Sequence, residues 1–292
     1  MNIQYFIEFV KRLFLYGKRC LRLFRSLVIV FFIALSANSS RAALEDYTLG
    51  ARPAALGGAY VAVAGRADAL FHNPAAIVRK NGFDLTLYYT HPFGLAELSV
   101  GSAALVFPLR SLTAGTGVST FGTEHYQESV AYFAAALPLL KKVSLGVNLR
   151  YSQIKITGYG QAGALIGDLG LVADILPNVS WGFAVKNVNY ATIGRSGEAI
   201  PQIINTGWCI APANNIKLMV DVYKDIRFAL DIRCGIEYRP IAVLALRAGA
   251  GNEPERFSAG FGLSFGFFAA DYAFSSHADL GMTHQFSIRF FR

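Results

Sequence analysis

Apolar residues recur at every second position along most of this chain, with small or polar residues between them. In Phe257–Phe267 one face reads Phe257, Ala259, Phe261, Leu263, Phe265, Phe267, and the other carries only Ser and Gly. From Arg227 to Arg239, Phe228, Leu230, Ile232, Cys234, Ile236 and Tyr238 share one face. Arg227, Asp231, Arg233, Glu237 and Arg239 share the other. The same period runs through Val143/Leu145/Val147/Leu149, Leu169/Leu171/Ala173/Ile175, Val179/Trp181/Phe183/Val185 and Phe286/Ile288/Phe290. A period of two is the signature of a strand with unlike faces. Fourteen such segments run from Phe83 to the C-terminus, near 83–93, 97–109, 112–123, 126–139, 143–157, 162–176, 179–190, 200–212, 216–226, 227–239, 241–251, 256–266, 267–277 and 281–292. Twelve or sixteen strands are the alternatives.

Alternation fits a water-soluble sandwich, whose apolar faces meet each other, and also a membrane barrel, whose apolar face meets lipid. Segment length favours the barrel, because runs of about 10–13 residues suit a tilted strand crossing a bilayer while globular strands average about 5–6. The face opposite the apolar one is rich in Gly, Ala and Ser, which suits a crowded lumen. Links alternate between short turns, such as Pro108–Ser111 and Pro177-Asn178, and longer polar stretches, such as Thr157–Gly163 and Ala191–Ala199. The prediction is an all-β, transmembrane antiparallel barrel of about fourteen strands over residues 83–292. Closure would satisfy every backbone hydrogen bond without leaving an edge in lipid.

Residues 43–82 break the pattern. Gly50–Ala64 and Asp68–Ile77 are rich in small residues and too apolar for a solvated tail. A segment of this kind needs packing partners, and a Gly-lined lumen supplies them. Residues 43–82 are therefore read as a small N-terminal hatch, or plug, inside the barrel.

Charge changes the picture at the N-terminus. The formal net charge is +8. Seven of the Lys and Arg residues and one acid lie in residues 1–42, which leaves only +2 elsewhere, without a basic face. Nucleic acid is excluded as a partner on that ground. The basic segment ending at Arg25, the eleven-residue stretch Leu27–Ala37, apolar except for Ser36, and the small-residue stretch ending Ser40-Arg41-Ala42 read as a signal peptide cleaved after Ala42, with an uncleaved short anchor as the alternative. Cys20 lies before the apolar stretch, which argues against lipoprotein acylation. Cys209 and Cys234 fall on opposite sheet faces, which argues against a disulfide.

The candidate chemistry is sparse. Gly158–Gly163 matches the dinucleotide fingerprint, but strand follows it where a helix N-terminus would be needed. Gly262-Leu263-Ser264-Phe265-Gly266 matches a nucleophile elbow but lies within a strand. His277, Asp279 and His284 are close in sequence, at a turn that suits a solvated rim better than a metal. No enzyme activity, cofactor or metal is predicted. The polar constellation that stands out is Asp221, Arg227, Asp231, Arg233, Glu237 and Arg239, read as mutually paired lumen charges or as a polar contact for the hatch or a solute.

Gly50–Val63, followed by Leu70-Phe71-His72-Asn73-Pro74-Ala75, resembles the N-terminal signature of the FadL-like outer-membrane proteins, particularly the PorV/PorQ branch. The runs Asp271–Phe274 and Leu280–Ile288 are similar to the C-terminal part of that branch. The resemblance implies a fourteen-stranded barrel filled by its hatch, with Gly57, Gly58, Asn73, Pro74 and Ala75 as hatch and gate residues. In the transporters of this kind an apolar ligand is captured outside, passes through the barrel and leaves sideways through the wall. The chain departs from them in being shorter and in lacking long external loops. PorV relatives instead serve a protein secretion system as shuttle or anchor. The implied location is the bacterial outer membrane after Sec-type export. The implied partners are outer-membrane lipid, the barrel-assembly machinery (from the aromatic C-terminal strand), and apolar small molecules or secretion-system proteins.

Overall fold

The computed structural model describes residues 44–78, 81–195, 197–277 and 280–292. The leader expected over residues 1–42, with Cys20 and the cleavage site, lies outside the described residues, as does Asp279.

Fourteen antiparallel strands form a closed ring. In chain order they are β1 Asp84–His91, β2 Val100–Leu109, β3 Leu112–Gly122, β4 Tyr126–Leu140, β5 Val143–Ile156, β6 Gly160–Leu176 and β7 Val179–Lys186. After a loop that holds the two-residue strands β8 Thr192–Ile193 and β9 Glu198–Ala199 come β10 Ile203–Ala213, β11 Ile216–Asp225, β12 Asp231–Ile241 and β13 Leu244–Asn252. The ring ends with β14 Glu255–Phe265, β15 Phe268–His277 and β16 Gly281–Phe291. Each strand pairs with its sequence neighbour in the ring, and β1 pairs with β16 to close it, from Asp84↔Phe291 to His91↔His284.

The ends of the ring differ. Where β1 begins and β16 finishes, the links are two-residue turns, from Arg110-Ser111 to Gly266-Phe267. The opposite end carries most of the longer links, including residues 92–99 and 187–202. Gly158–Gly163 runs from a turn into β6, and Gly262–Gly266 runs along β14 into a turn, so neither motif precedes a helix. Boundaries lie up to four residues from the sequence expectation, at the end of β7 (Lys186 against 190) and at the start of β12. Strand β12 starts at Asp231, and Arg227 lies in the preceding turn, ion-paired with Asp225 at 2.8 Å. The alternating pattern continues unbroken through that turn, which hides it from the sequence.

The two faces of the ring are unlike. Outside, Phe133, Val147, Leu149, Leu169, Phe257, Phe261 and Phe286 are all exposed. Inside, many of the positions between them are small or polar, and residues 44–78 pack against these and against a few larger apolar residues of the wall. Leu56, Tyr60, Leu70, Phe71 and Ile77 of that segment meet Val106, Tyr132, Ala136, Val172 and Met219 of the wall. Cys209 packs toward this core whereas Cys234 is exposed outside, and both are free.

Candidate functional site: the hatch and its seat

Residues 44–78 run through the lumen as short pieces, a helix Ala51–Ala55 and two 3-10 turns, Ala67–Phe71 and Pro74–Ile77. None is long enough to satisfy its own backbone, so the wall supplies partners. Ser287 Oγ accepts from Ala51 N at 2.9 Å, and Ser258 Oγ from Gly57 N at 3.0 Å. Asp221 accepts from both Tyr60 N, at 2.8 Å, and Val61 N, at 2.9 Å, through one carboxylate oxygen.

Asn73 is fully buried and ties three pieces together. Its Oδ1 accepts from Ala75 N at 3.0 Å, capping the turn that Pro74 opens. Its Nδ2 donates to Val61 O at 2.7 Å and to Leu171 O of β6 at 3.1 Å. The Asn-Pro-Ala element is thereby bonded to the wall through Asn73.

Glycines on the wall let the hatch backbone approach this closely. Gly146 and Gly170 are cross-strand partners in β5 and β6. A Cβ on Gly170 would lie 2.1 Å from Asn73 Oδ1, and one on Gly146 would lie 2.2 Å from Ala75 N. Gly57 and Gly58 of the hatch have φ of +66° and +83°, the left-handed region that favours glycine. A Cβ on Gly57 would also strike Ala250 N at 2.7 Å.

A lattice of charges joins hatch to wall. Glu237 accepts from Arg52 Nε and Nη2 at 2.8 and 3.1 Å and from Arg247 Nε at 2.7 Å. Arg247 reaches on to Asp271 at 2.7 Å, and Asp271 accepts from Arg66 at the same distance. Within the hatch, Arg52 donates to Tyr60 Oη, which donates to Asp68 at 2.9 Å. Each buried charge therefore has hydrogen-bonded partners, the condition under which burial is tolerable.

Of the six charged residues singled out in the sequence, Asp221 and Glu237 bond the hatch directly. Asp231 pairs with Arg233 and Arg256, each at 2.7 Å, and Arg256 Nη2 donates to Gly57 O at 3.2 Å. Arg239 sits on the rim beside Glu237, and Arg227 belongs to the turn. Arg52, Arg66, Arg247 and Asp271 were missed as a group. Arg52, Arg247 and Asp271 each stand alone in an apolar stretch, Arg66 has only Asp68 nearby, and inward parity was the available signal for Arg247 and Asp271. His284 points outward and bonds Tyr272. Among the described residues no cluster of His, Cys, Asp or Glu suits a metal.

At the long-loop end, above the hatch, a cavity of about 60 Å³ lies between Leu44, Tyr47, Phe71, Phe121, Ile166 and Ile200. On the outer wall an apolar groove of about 640 Å³ crosses β3 to β6, lined by Phe107, Phe133, Val147, Leu149, Leu169 and Val188. Val147 and Leu169 directly follow and precede the Gly146–Gly170 pair. The groove thus lies across a glycine-thin stretch of wall from Asn73-Pro74-Ala75.

His72 is buried, and its Nε2 donates to Leu49 O at 3.0 Å. Burial, followed by the charge of Lys186, pushes it down from 6.5 to about 4. Between those values the unfolded chain takes up a proton that the folded imidazole refuses. Stability therefore falls as pH drops through that window. The urea midpoint should fall between pH 6.5 and 4, less steeply in His72→Gln than in the wild type. Glu237→Leu strands two buried arginines and should cost about 3–5 kcal/mol, measured by the same unfolding.

No protein-family model and no curated protein matches the sequence. Solved structures do resemble the fold. The CymD monoaromatic hydrocarbon channel aligns with TM-score 0.61 and 14% identity over 86% of this chain and 98% of its own. The Pseudomonas putida toluene transporter TodX aligns with TM-score 0.61 and 14% identity over 85% and 97%. A Pseudomonas aeruginosa FadL homologue aligns with TM-score 0.59 and 12% identity over 84% and 98%. At these identities the likeness is one of fold. The chain has the closed fourteen-stranded barrel of FadL-type proteins.

Proposed function

We propose that this protein is an outer-membrane barrel through which small apolar molecules pass passively, gated by the hatch. On this reading residues 1–42 are a signal peptide for Sec-type export, residues 43–82 the hatch and residues 83–292 the barrel. The observation that carries the reading is the placement of Asn73-Pro74-Ala75, which is held to the wall without covalent bonds, opposite an apolar groove on the outer face. The exposed aliphatic and aromatic belt supports insertion in lipid, because so large an apolar surface on a monomer marks an interaction face. The names of the fold's neighbours, a hydrocarbon channel and a toluene transporter, support an apolar solute of that size.

The lumen is closed in this conformation. The cavity at the long-loop end, about 60 Å³, is well below the roughly 150 Å³ that admits benzene, and the hatch separates it from a polar pocket of about 300 Å³ at the short-turn end. Passage therefore needs the hatch to shift, with Gly57 and Gly58 as hinges and Asn73, Pro74 and Ala75 as the latch. The charge lattice favours a second reading, in which the hatch never opens; on the resemblance of the N-terminal run, such a barrel would be a PorV/PorQ-like shuttle or anchor for a secretion system. Breaking the latch separates the two.

Gly170→Val drives a side chain into the space of Asn73 and should admit toluene into proteoliposomes faster than the wild type does, with the barrel still folded. Wild-type uptake above that of protein-free liposomes supports transport. No uptake by either protein would leave the permanent plug. Lipid contact has its own test. Phe133→Arg, on the outer face, should cost about 2–4 kcal/mol in a bilayer if it lies near the midplane. A surface substitution in water stays within about 0.5 kcal/mol.

A further inference from the structure

At the short-turn end of the lumen, below the hatch, a pocket of about 300 Å³ is ringed by cations from both parts of the molecule. The hatch gives Arg52 and Arg66, and the wall gives Lys217, Arg239, Arg247 and Arg289. Four carboxylates bond this set. Glu237 takes Arg52, Arg247 and Arg239, Asp271 takes Arg66 and Arg247, Asp68 lies beside Arg66, and Asp84 takes Arg289. Among the described side chains that line or bond the pocket, six positive charges stand against four negative ones.

Lys217 carries one of the positive charges. It faces Glu237 across the β11–β12 ladder. Glu237 is saturated, however, because four guanidinium nitrogens lie within 3.1 Å of its two oxygens and a carboxylate offers about four acceptor sites. Lys217 is left bonded to no carboxylate among the described residues. Arg239 is about half exposed and gives Glu237 only one nitrogen, at 3.1 Å, so most of its donor fork is unused. Deeper in the pocket, Arg66 Nε is buried without a hydrogen-bond partner, 3.3 Å from Asp68 but poorly aligned with it. Unused donors on clustered cations, in a cavity at the lower edge of ligand size, suit an oxyanion.

We infer that the short-turn mouth binds a small oxyanion, a carboxylate or a phosphate, held by Lys217 and Arg239 in front of the Arg52–Arg66–Arg247 lattice. Held on the wall by Lys217 and Arg239 and facing Arg52 and Arg66 of the hatch, such an anion attracts the hatch arginines and so stabilises the closed state. The inference does not depend on the transport reading, since Lys217 and Arg239 are there whether or not the hatch opens.

The test is equilibrium dialysis of radiolabelled inorganic phosphate against the purified protein in zwitterionic detergent, at about 0.15 M sodium chloride to screen non-specific attraction. Saturable binding is expected. It should weaken at least about tenfold in the double variant K217Q/R239Q and be largely kept in K217R/R239K. Both side chains lie toward the rim, and an unchanged thermal midpoint without phosphate checks that the double variant is folded. Phosphate should also slow proteolysis within residues 44–78 of the wild type but not of K217Q/R239Q. No saturable binding by the wild type, or equal binding by K217Q/R239Q, overturns the inference. Repeating the dialysis in phosphatidylglycerol and in phosphatidylcholine vesicles separates the sources. Phosphate binding lost only in the anionic bilayer assigns the site to a lipid headgroup, and binding kept in both assigns it to a soluble anion.

Discussion

A ring of fourteen strands is wider than its own side chains can fill. Eight strands close with an interior that side chains just occupy, and diameter grows with strand number. Everything else in this molecule follows from how the surplus space is used. It is filled by residues 44–78, a segment whose helix and turns are too short to satisfy their own backbone. The wall must then meet that backbone closely enough to hydrogen-bond it. For this reason the inner face carries Gly146, Gly170 and Gly182 where the hatch main chain passes, and Ser258, Ser287 and Asp221 where its N–H groups point.

The charge lattice answers a second consequence of the same filling. Charges inside a sealed lumen lose water, and each needs hydrogen-bonded counter-charges to stay ionised. Arg52 and Arg66 of the hatch find them in Glu237 and Asp271 of the wall, with Arg247 between the two acids. The lattice gives the hatch one position, because displacing it strands charges on both sides. At the short-turn mouth the described pocket side chains carry six positive charges against four negative ones, and that face is complementary to something negative.

The two faces of the wall also divide the functional question. Outside, an apolar belt and a groove beside Gly146 and Gly170 suit a hydrocarbon environment. Inside, polar contacts hold the hatch in place. Whether an apolar solute crosses depends on how far the Asn73–Leu171 bond and its neighbours outweigh the freedom that Gly57 and Gly58 allow.

Strand number and facing were legible because a period of two is a local property. Each of the fourteen segments declares its own apolar face, and Phe257–Phe267 does so without its neighbours. The hatch was legible for a related reason, being too apolar for solvent and unlike a strand. Arg227 shows where local reading fails, since its turn keeps the phase of the strand that follows. The partners of Arg52, Arg66 and Arg247 were out of reach, because they depend on strand register and on the path of the hatch. Arg52 and Glu237 are 185 residues apart. Alternation says only that Glu237 points inward. Three-dimensional closure decides that it meets three arginines and leaves Lys217 with none of it.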